Sequence, residues 1–244
     1  MAIATKVALV TGANKGIGFE TARQLAKQGF HVLIGARDEN RGNEAATKLK
    51  GEGLSAEFVK LDVTSDADRK AVAQHIAEHH GNALDVLVNN AAIAIDGEHK
   101  SSTVPLDVLR QTFDANFFSV IALTQALLPS IHKSEAGRIV NLSSGLASLG
   151  LHSDPSWSFY NYKPLAYDAS KTAINAFTVH LAHELKDTPI KVNAADPGWV
   201  KTDMGGDGAA LEVTEGAKTS LWLATLGADG PTGGFFHMQE RHPW

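Results

Sequence analysis

The chain has 244 residues, 43% hydrophobic and 20% charged, with a formal net charge of −5 and no cysteine. That composition builds a core and excludes a disordered or fibrous chain. An acidic balance without a basic stripe argues against nucleic acid as a partner. The lack of cysteine excludes disulfides and thiolate chemistry and fits a reducing, cytoplasmic compartment.

Met1–Thr5 lacks the charged start of a secretory segment, and the apolar run Val7–Val10 is far too short to span a membrane, so no membrane partner is expected. Short apolar runs alternate with stretches of helical period. The runs predict strands at Lys6–Thr11, His31–Ala36, Ala56–Val63, Asp85–Asn89, Arg138–Leu142, Lys191–Asp196 and Gly234–His237. Between them the pattern predicts helices at Gly16–Gln28, Glu39–Lys50, Asp66–His80, Asp107–Lys133, Asp168–Lys186 and Thr214–Leu226. Val-, Ile- and Leu-rich strands with little polar alternation are those of a parallel sheet covered on both faces. Their alternation with helices predicts an α/β, doubly wound sheet of about seven strands. The motifs run from residue 11 to residue 204, so 1–244 reads as a single domain. One long irregular stretch, 145–164, is a substrate-side insertion.

The first strand runs into Thr11-Gly12-Ala13-Asn14-Lys15-Gly16-Ile17-Gly18 and then a helix. Glycines at a strand-to-helix turn let the backbone approach a diphosphate, and the helix end supplies free N–H groups. The second strand ends at Ala36-Arg37-Asp38. An Arg facing the adenosine ribose favours the 2′-phosphate of NADP, whereas an Asp favours NAD. Arg37, Lys15 and Arg41 together argue for NADP; if Asp38 faced the ribose instead, the preference would reverse.

Tyr167 and Lys171 stand four apart at the start of a predicted helix and share one face. An ammonium beside a phenol favours the phenolate and lowers its pKa from near 10. Ser143 and Ser144 follow the strand Arg138–Leu142, at the carboxyl edge where ligands bind in such sheets.

The order of Thr11–Gly18, Asp62-Val63, Asn89-Asn90-Ala91, Asn116, Ser144, Tyr167-x-x-x-Lys171 and Pro197-Gly198 resembles the short-chain dehydrogenase/reductase family over nearly the whole chain. Gly12-Ala-Asn-Lys15-Gly, Ala36-Arg37-Asp38 with Arg41-Gly42, Pro197 to Met204 and Trp244 look like the NADPH-dependent carbonyl reductases within it. The resemblance implies a Rossmann-type fold and NADPH-dependent reduction of ketones and aldehydes. Alternatives are an alcohol dehydrogenase, a reductase of acyl-carrier-linked ketones, or a cofactor sensor on the same fold. It implies that Tyr167 is the general acid, that Lys171 lowers its pKa and binds the nicotinamide ribose, and that Ser144 polarises the carbonyl. Asn116 would hold a relay water. Gly12, Asn14, Lys15, Gly16, Ile17 and Gly18 would cradle the diphosphate, with Arg37 and Arg41 at the ribose phosphate. Asp62 and Val63 would touch adenine, and Asn89 and Ala91 the adenosine side. Pro197, Gly198, Val200 and Thr202 would line the nicotinamide end, with Tyr167 and Lys171.

Two departures stand out. Ala92 replaces the family's glycine, and a Cβ there restricts the backbone if a positive φ is needed. Ser144 and Tyr167 are 23 positions apart, between the short gap of most members and the longer insertion of monomeric carbonyl reductases. Tyr160 and Tyr162 have no Lys four residues on and read as packing. Leu146, Leu149, Leu151, Trp157, Phe159, Tyr160 and Tyr162, with Ile93, Ile95 and Trp199, either form a pocket for bulky hydrophobic or aromatic carbonyls or bury the insertion. His75 and His79, four apart on one helix, read as a solvated face, and His180 and His183 as surface or interface packing; no metal site is expected. The helices bearing Asn116 and Tyr167 commonly pair with a second copy in the family, which favours a homo-oligomer.

Overall fold

The computed structural model describes residues 5–97 and 99–244; Met1–Ala4, within the segment inspected for a leader, lie outside the described residues. The elements follow as β1 (Val7–Thr11), α1 (Gly16–Lys27), β2 (His31–Ala36), α2 (Glu39–Gly51), β3 (Ala56–Lys60), α3 (Asp66–His79) and β4 (Val86–Asn89). The second half contains α4 (Leu106–Phe113), a π-helical turn (Asp114–Phe118), α5 (Ser119–Ile131), β5 (Arg138–Leu142), a 3-10 turn (Gly145–Ala147) and α6 (Leu149–His152). It ends with α7 (Leu165–Glu184), β6 (Lys191–Ala195), α8 (Val213–Gly216), α9 (Lys218–Ala224), β7 (Phe235–His237) and β8 (Glu240–Arg241).

The strands form one eight-stranded sheet in the order β3-β2-β1-β4-β5-β6-β7-β8. All pairs are parallel except β7 with β8. The order reverses between β1 and β4, which opens a crevice at their carboxyl ends.

Period-two alternation divides the core. Ala8 and Val10 of β1 face Leu25 of α1, Ala46 and Leu49 of α2 and Leu223 of α9. Val7 and Leu9 face Val72 and Ile76 of α3, Leu123 and Leu127 of α5 and Leu181 of α7. A strand apolar at every position is therefore required, and that is why β1, β2 and β4 read as unbroken apolar runs.

Three elements depart from the sequence expectation. The helix predicted over Asp107–Lys133 is interrupted by the π turn that carries Asn116, which a 3.6-residue period cannot reveal. The helix predicted over Thr214–Leu226 is two short pieces. The polar tail forms an eighth strand, reached through Met238 and Gln239 at φ 46° and 72°, so no glycine marks its turn.

Candidate active site

The glycine turn is shaped first by packing. Gly12 has φ +63°, and a Cβ there would meet the Ala91 Cα at 3.1 Å. A Cβ on Gly18 would come within 2.5 Å of Asn90 Nδ2 and 2.7 Å of the Gly12 oxygen. Asn90 earns that closeness by donating to the Thr11 carbonyl at 2.7 Å, while the Asn90 and Ala91 N–H groups donate to Thr11 Oγ1 at 2.9 Å. Ala92, a few residues along the same loop, does not adopt a positive φ, so its Cβ adds no strain.

Gly16 (φ +58°) opens α1, and Lys15 at the N-cap lends no side-chain hydrogen bond to that helix end. The first-turn N–H groups of α1 therefore have no side-chain acceptor, the arrangement that suits a diphosphate. Asn14 and Ile17 are half-buried on either side. Lys15 forms an ion pair with Asp203 in the loop after β6, and Arg41 adds to the positive field that lowers the Asp203 pKa. Thr202 of the same loop lies under Gly16.

At the end of β2, Asp38 caps α2: its Oδ1 accepts the Arg41 N–H at 3.0 Å. Arg37 is exposed beside it. Asp62 accepts from Thr64 Oγ1 at 2.7 Å and from Thr64 N at 2.9 Å. These bonds, with the charge of Arg37, hold its carboxyl below the usual range against the opposing effect of burial. Val63 is half-buried next to it, its carbonyl accepting from Arg69 at 2.7 Å.

Across the crevice, α7 begins at Leu165, so Tyr167 lies in its first turn. The cap comes from far away in sequence. Asp96, 3% exposed, accepts the Ala166 N–H at 2.5 Å and the Tyr167 N–H at 3.1 Å. Ser144 stands near enough to the Tyr167 phenol to favour its ionised form, and Lys171 Nζ lies 5.7 Å from the Tyr167 ring centroid. Lys171, 3% exposed, donates to the Leu142 carbonyl at 2.7 Å. Burial pushes its ammonium down to about 8. Burial and the nearby Asp196 push the Tyr167 phenol up, and the Ser144 hydroxyl opposes them. Lys171 is not among the groups that set this direction in the protein alone.

Ser143, 2% exposed, is committed to Asn175 at 2.7 Å, which leaves Ser144 as the serine at the phenol. Asn116 accepts the Ile93 N–H at 2.8 Å and donates to the Ile93 carbonyl at 2.8 Å and to Ser170 Oγ at 3.1 Å. One acceptor lone pair of its side chain remains. The Asn89 side chain turns inward to Thr124 and Asn141, so only its main chain can serve a ligand in the crevice. Gly198 has φ +76°, and a Cβ there would meet Leu211 at 2.7 Å. Pro197 and Val200 are buried in the same loop.

Of the two extra tyrosines, Tyr162 is 57% exposed and Tyr160 stacks under Lys163. The aromatics of the insertion run as a chain of edge contacts, His152–Trp157–Phe159–Trp199, with centroids 5.1–5.6 Å apart. Leu149, Ile95 and Trp199 remain 65%, 41% and 44% exposed. Asp96, Asp196 and Asp203 escaped sequence reasoning. Asp96 and Asp203 meet their partners through the fold, and Asp196 reaches the phenol only through it.

A parallel sheet with a glycine turn at its switch point, facing a Ser–Tyr–Lys cluster, defines a dinucleotide-dependent oxidoreductase. Residues 6–210 match the model of the short chain dehydrogenase family, and the chain belongs to that family. It is 34% identical to the NADPH carbonyl reductase 1 of Mus musculus over 288 aligned positions, covering 100% of both chains. Among solved structures it resembles the NADPH-bound carbonyl reductase from chicken fatty liver (TM-score 0.86, 29% identity, covering 99% and 100% of the two chains). It also resembles salutaridine reductase from Papaver somniferum (TM-score 0.82, 29% identity, covering 96% and 99%). Among the described residues, no helix is long and apolar enough to cross a membrane.

Proposed function

We propose that this chain acts as a single unit that reduces ketones and aldehydes to alcohols with NADPH. The observation that carries the reading is the buried Lys171, bonded to the last residue of β5 and 5.7 Å from the Tyr167 ring, with Ser144 following the same strand at the carboxyl edge of the sheet. Bound NADPH supplies a hydride to the carbonyl carbon. Tyr167 donates its proton to the carbonyl oxygen, and Ser144 orients that oxygen. Lys171 stands ready to restore the proton and to hold the nicotinamide ribose. Asn116 ties the Ile93 loop to α7 and keeps this group aligned.

The residues present fit NADPH. The uncapped end of α1 at Gly16, with Gly12, Asn14, Ile17 and Gly18 shaping the turn, suits the diphosphate. Arg37, Lys15 and Arg41 suit the ribose phosphate, because the Asp38 carboxylate is already engaged at α2. Asp62 and Val63 border the adenine side, with the Asn89 and Ala91 main chain. Pro197, Gly198, Val200 and Thr202 border the nicotinamide side. The exposed apolar rim of Ile95, Leu149 and Trp199 favours bulky hydrophobic or aromatic carbonyls over small charged keto acids. Phe118 and Val179, on the elements bearing Asn116 and Tyr167, are 55% and 41% exposed and favour pairing with a second copy; light scattering tests that.

A turnover screen of diverse carbonyls with NADPH and with NADH tests the reading. The expected result is oxidation of NADPH by aromatic ketones, abolished in Tyr167→Phe with cofactor binding retained. Turnover surviving in Tyr167→Phe would overturn the acid assignment.

A further inference from the structure

At the amino edge of the sheet, away from the glycine turn and Ser144, histidines from separate elements gather on one carboxylate. His31 opens β2, Glu57 is the second residue of β3, His75 stands on α3 and His80 just past its end. Glu57 Oε1 lies 2.9 Å from His75 Nε2, 2.8 Å from His80 Nε2 and 3.5 Å from His31 Nε2. The donor atoms of His31, Glu57 and His80 all lie within 4.8 Å of one another.

Hydrogen bonding leaves this cluster incomplete. His31 Nε2 is buried and has no hydrogen-bond partner among the described residues. Its Nδ1 is 2.7 Å from Ser55 Oγ. With Ser55 donating there, Nε2–H faces Glu57; with Nδ1–H donating to Ser55, the Nε2 lone pair is free for a cation, and a bound ion selects that second tautomer. An open cleft of about 450 Å³, lined by His31, Ser55, His79 and His80 among others, leads to the cluster.

We propose that His31, Glu57 and His80 bind one divalent transition-metal ion of the zinc class, with His75 as the partner that orients Glu57. Two imidazole nitrogens and one carboxylate oxygen suit Zn²⁺, Co²⁺, Ni²⁺ or Cu²⁺, whereas Mg²⁺ and Ca²⁺ prefer all-oxygen sites. Water completes the fourth position. The ion ties the edge strand β3 and the end of α3 to β2, so it stabilises the fold and takes no part in carbonyl reduction.

The test titrates the metal-free full chain with Co²⁺ alone and reads the visible absorption of four-coordinate cobalt, then displaces it with Zn²⁺. One ion per chain is expected, together with a higher thermal midpoint in Zn²⁺. His31→Ala and His80→Ala should each lose more than about 100-fold in affinity, and His75→Ala about 10–100-fold, as removal of an orienting partner does. The exposed His132→Ala should bind like the unmodified chain. Absence of the cobalt absorption in the unmodified chain overturns the proposal without relying on any variant. Undiminished binding by His31→Ala, or several weak equivalents, overturns it as well.

Discussion

The two walls of the crevice solve opposite problems. The glycine-turn wall presents Lys15, Arg37 and Arg41 to water, where their charges are screened and their geometry is forgiving. The Tyr167 wall withdraws its working groups from water, so burial moves the phenol up and the ammonium down to about 8. Charge is held ready on one side, and protonation is controlled on the other. The physical lesson is that exposed cations keep their charge at little cost, whereas burial shifts a phenol and an ammonium in opposite directions, so a buried pair depends on what else surrounds it.

The largest effect expected from breaking this contrast is on the buried wall. Tyr167→Phe should lower kcat by at least the ~10²–10⁴-fold typical of a lost general acid, with NADPH binding intact by fluorescence titration. On the exposed wall, Arg37→Asp should weaken NADPH by about 10–100-fold, the range for a hydrogen bond to a charged group, and leave NADH nearly unchanged. Equal losses for both cofactors would place the phosphate elsewhere.

Between these lies the capping of α7. Asp96→Ala should cost about 0.5–2 kcal/mol in denaturant unfolding, as N-cap losses do, and should also lower kcat because Tyr167 loses its anchor. A stability loss with unchanged kcat would make the cap purely structural.

The pH dependence sharpens the contrast further. Burial and Asp96 raise the Asp168 carboxyl to about 8, although Lys163 opposes them. A carboxyl raised in the folded state contributes full stability below about pH 4 and loses it as pH climbs through 8. Asp168→Asn should therefore flatten the decline of stability between those limits. For the reaction, carbonyl reduction should slow above about pH 8, where Lys171 loses the proton it returns to Tyr167. The smallest effect is reserved for the surface. Asp203→Asn frees Lys15 and should tighten NADPH slightly at low salt, a gain that vanishes at high salt.

How much was readable in advance depends on separation along the chain. The glycine turn joins a strand directly to a helix, and Tyr167 and Lys171 are one helical turn apart. The same holds for the apolar strands, where every residue is buried on one face or the other. Local geometry enforces such relationships, so spacing reveals them. Spacing alone left Arg37 against Asp38 and Ser143 against Ser144 open, and the family resemblance favoured Arg37 and Ser144. Contacts with Arg41 and Asn175 are what engage the Asp38 and Ser143 side chains.

His75 and His79 look like one solvated face when only their helix is considered. In the fold His79 stays in water, while His75 shares Glu57 with His80 and His31 from other elements. Sequence by itself determined the sheet class, because it follows from periodicity, and the ordered motifs along the chain carried the resemblance to the family and to its Tyr167–Lys171 spacing. Tertiary structure alone decided what caps α7, which charge surrounds the phenol and where the histidines meet, because those contacts bridge up to about 70 residues and exist only once the strands have taken their order.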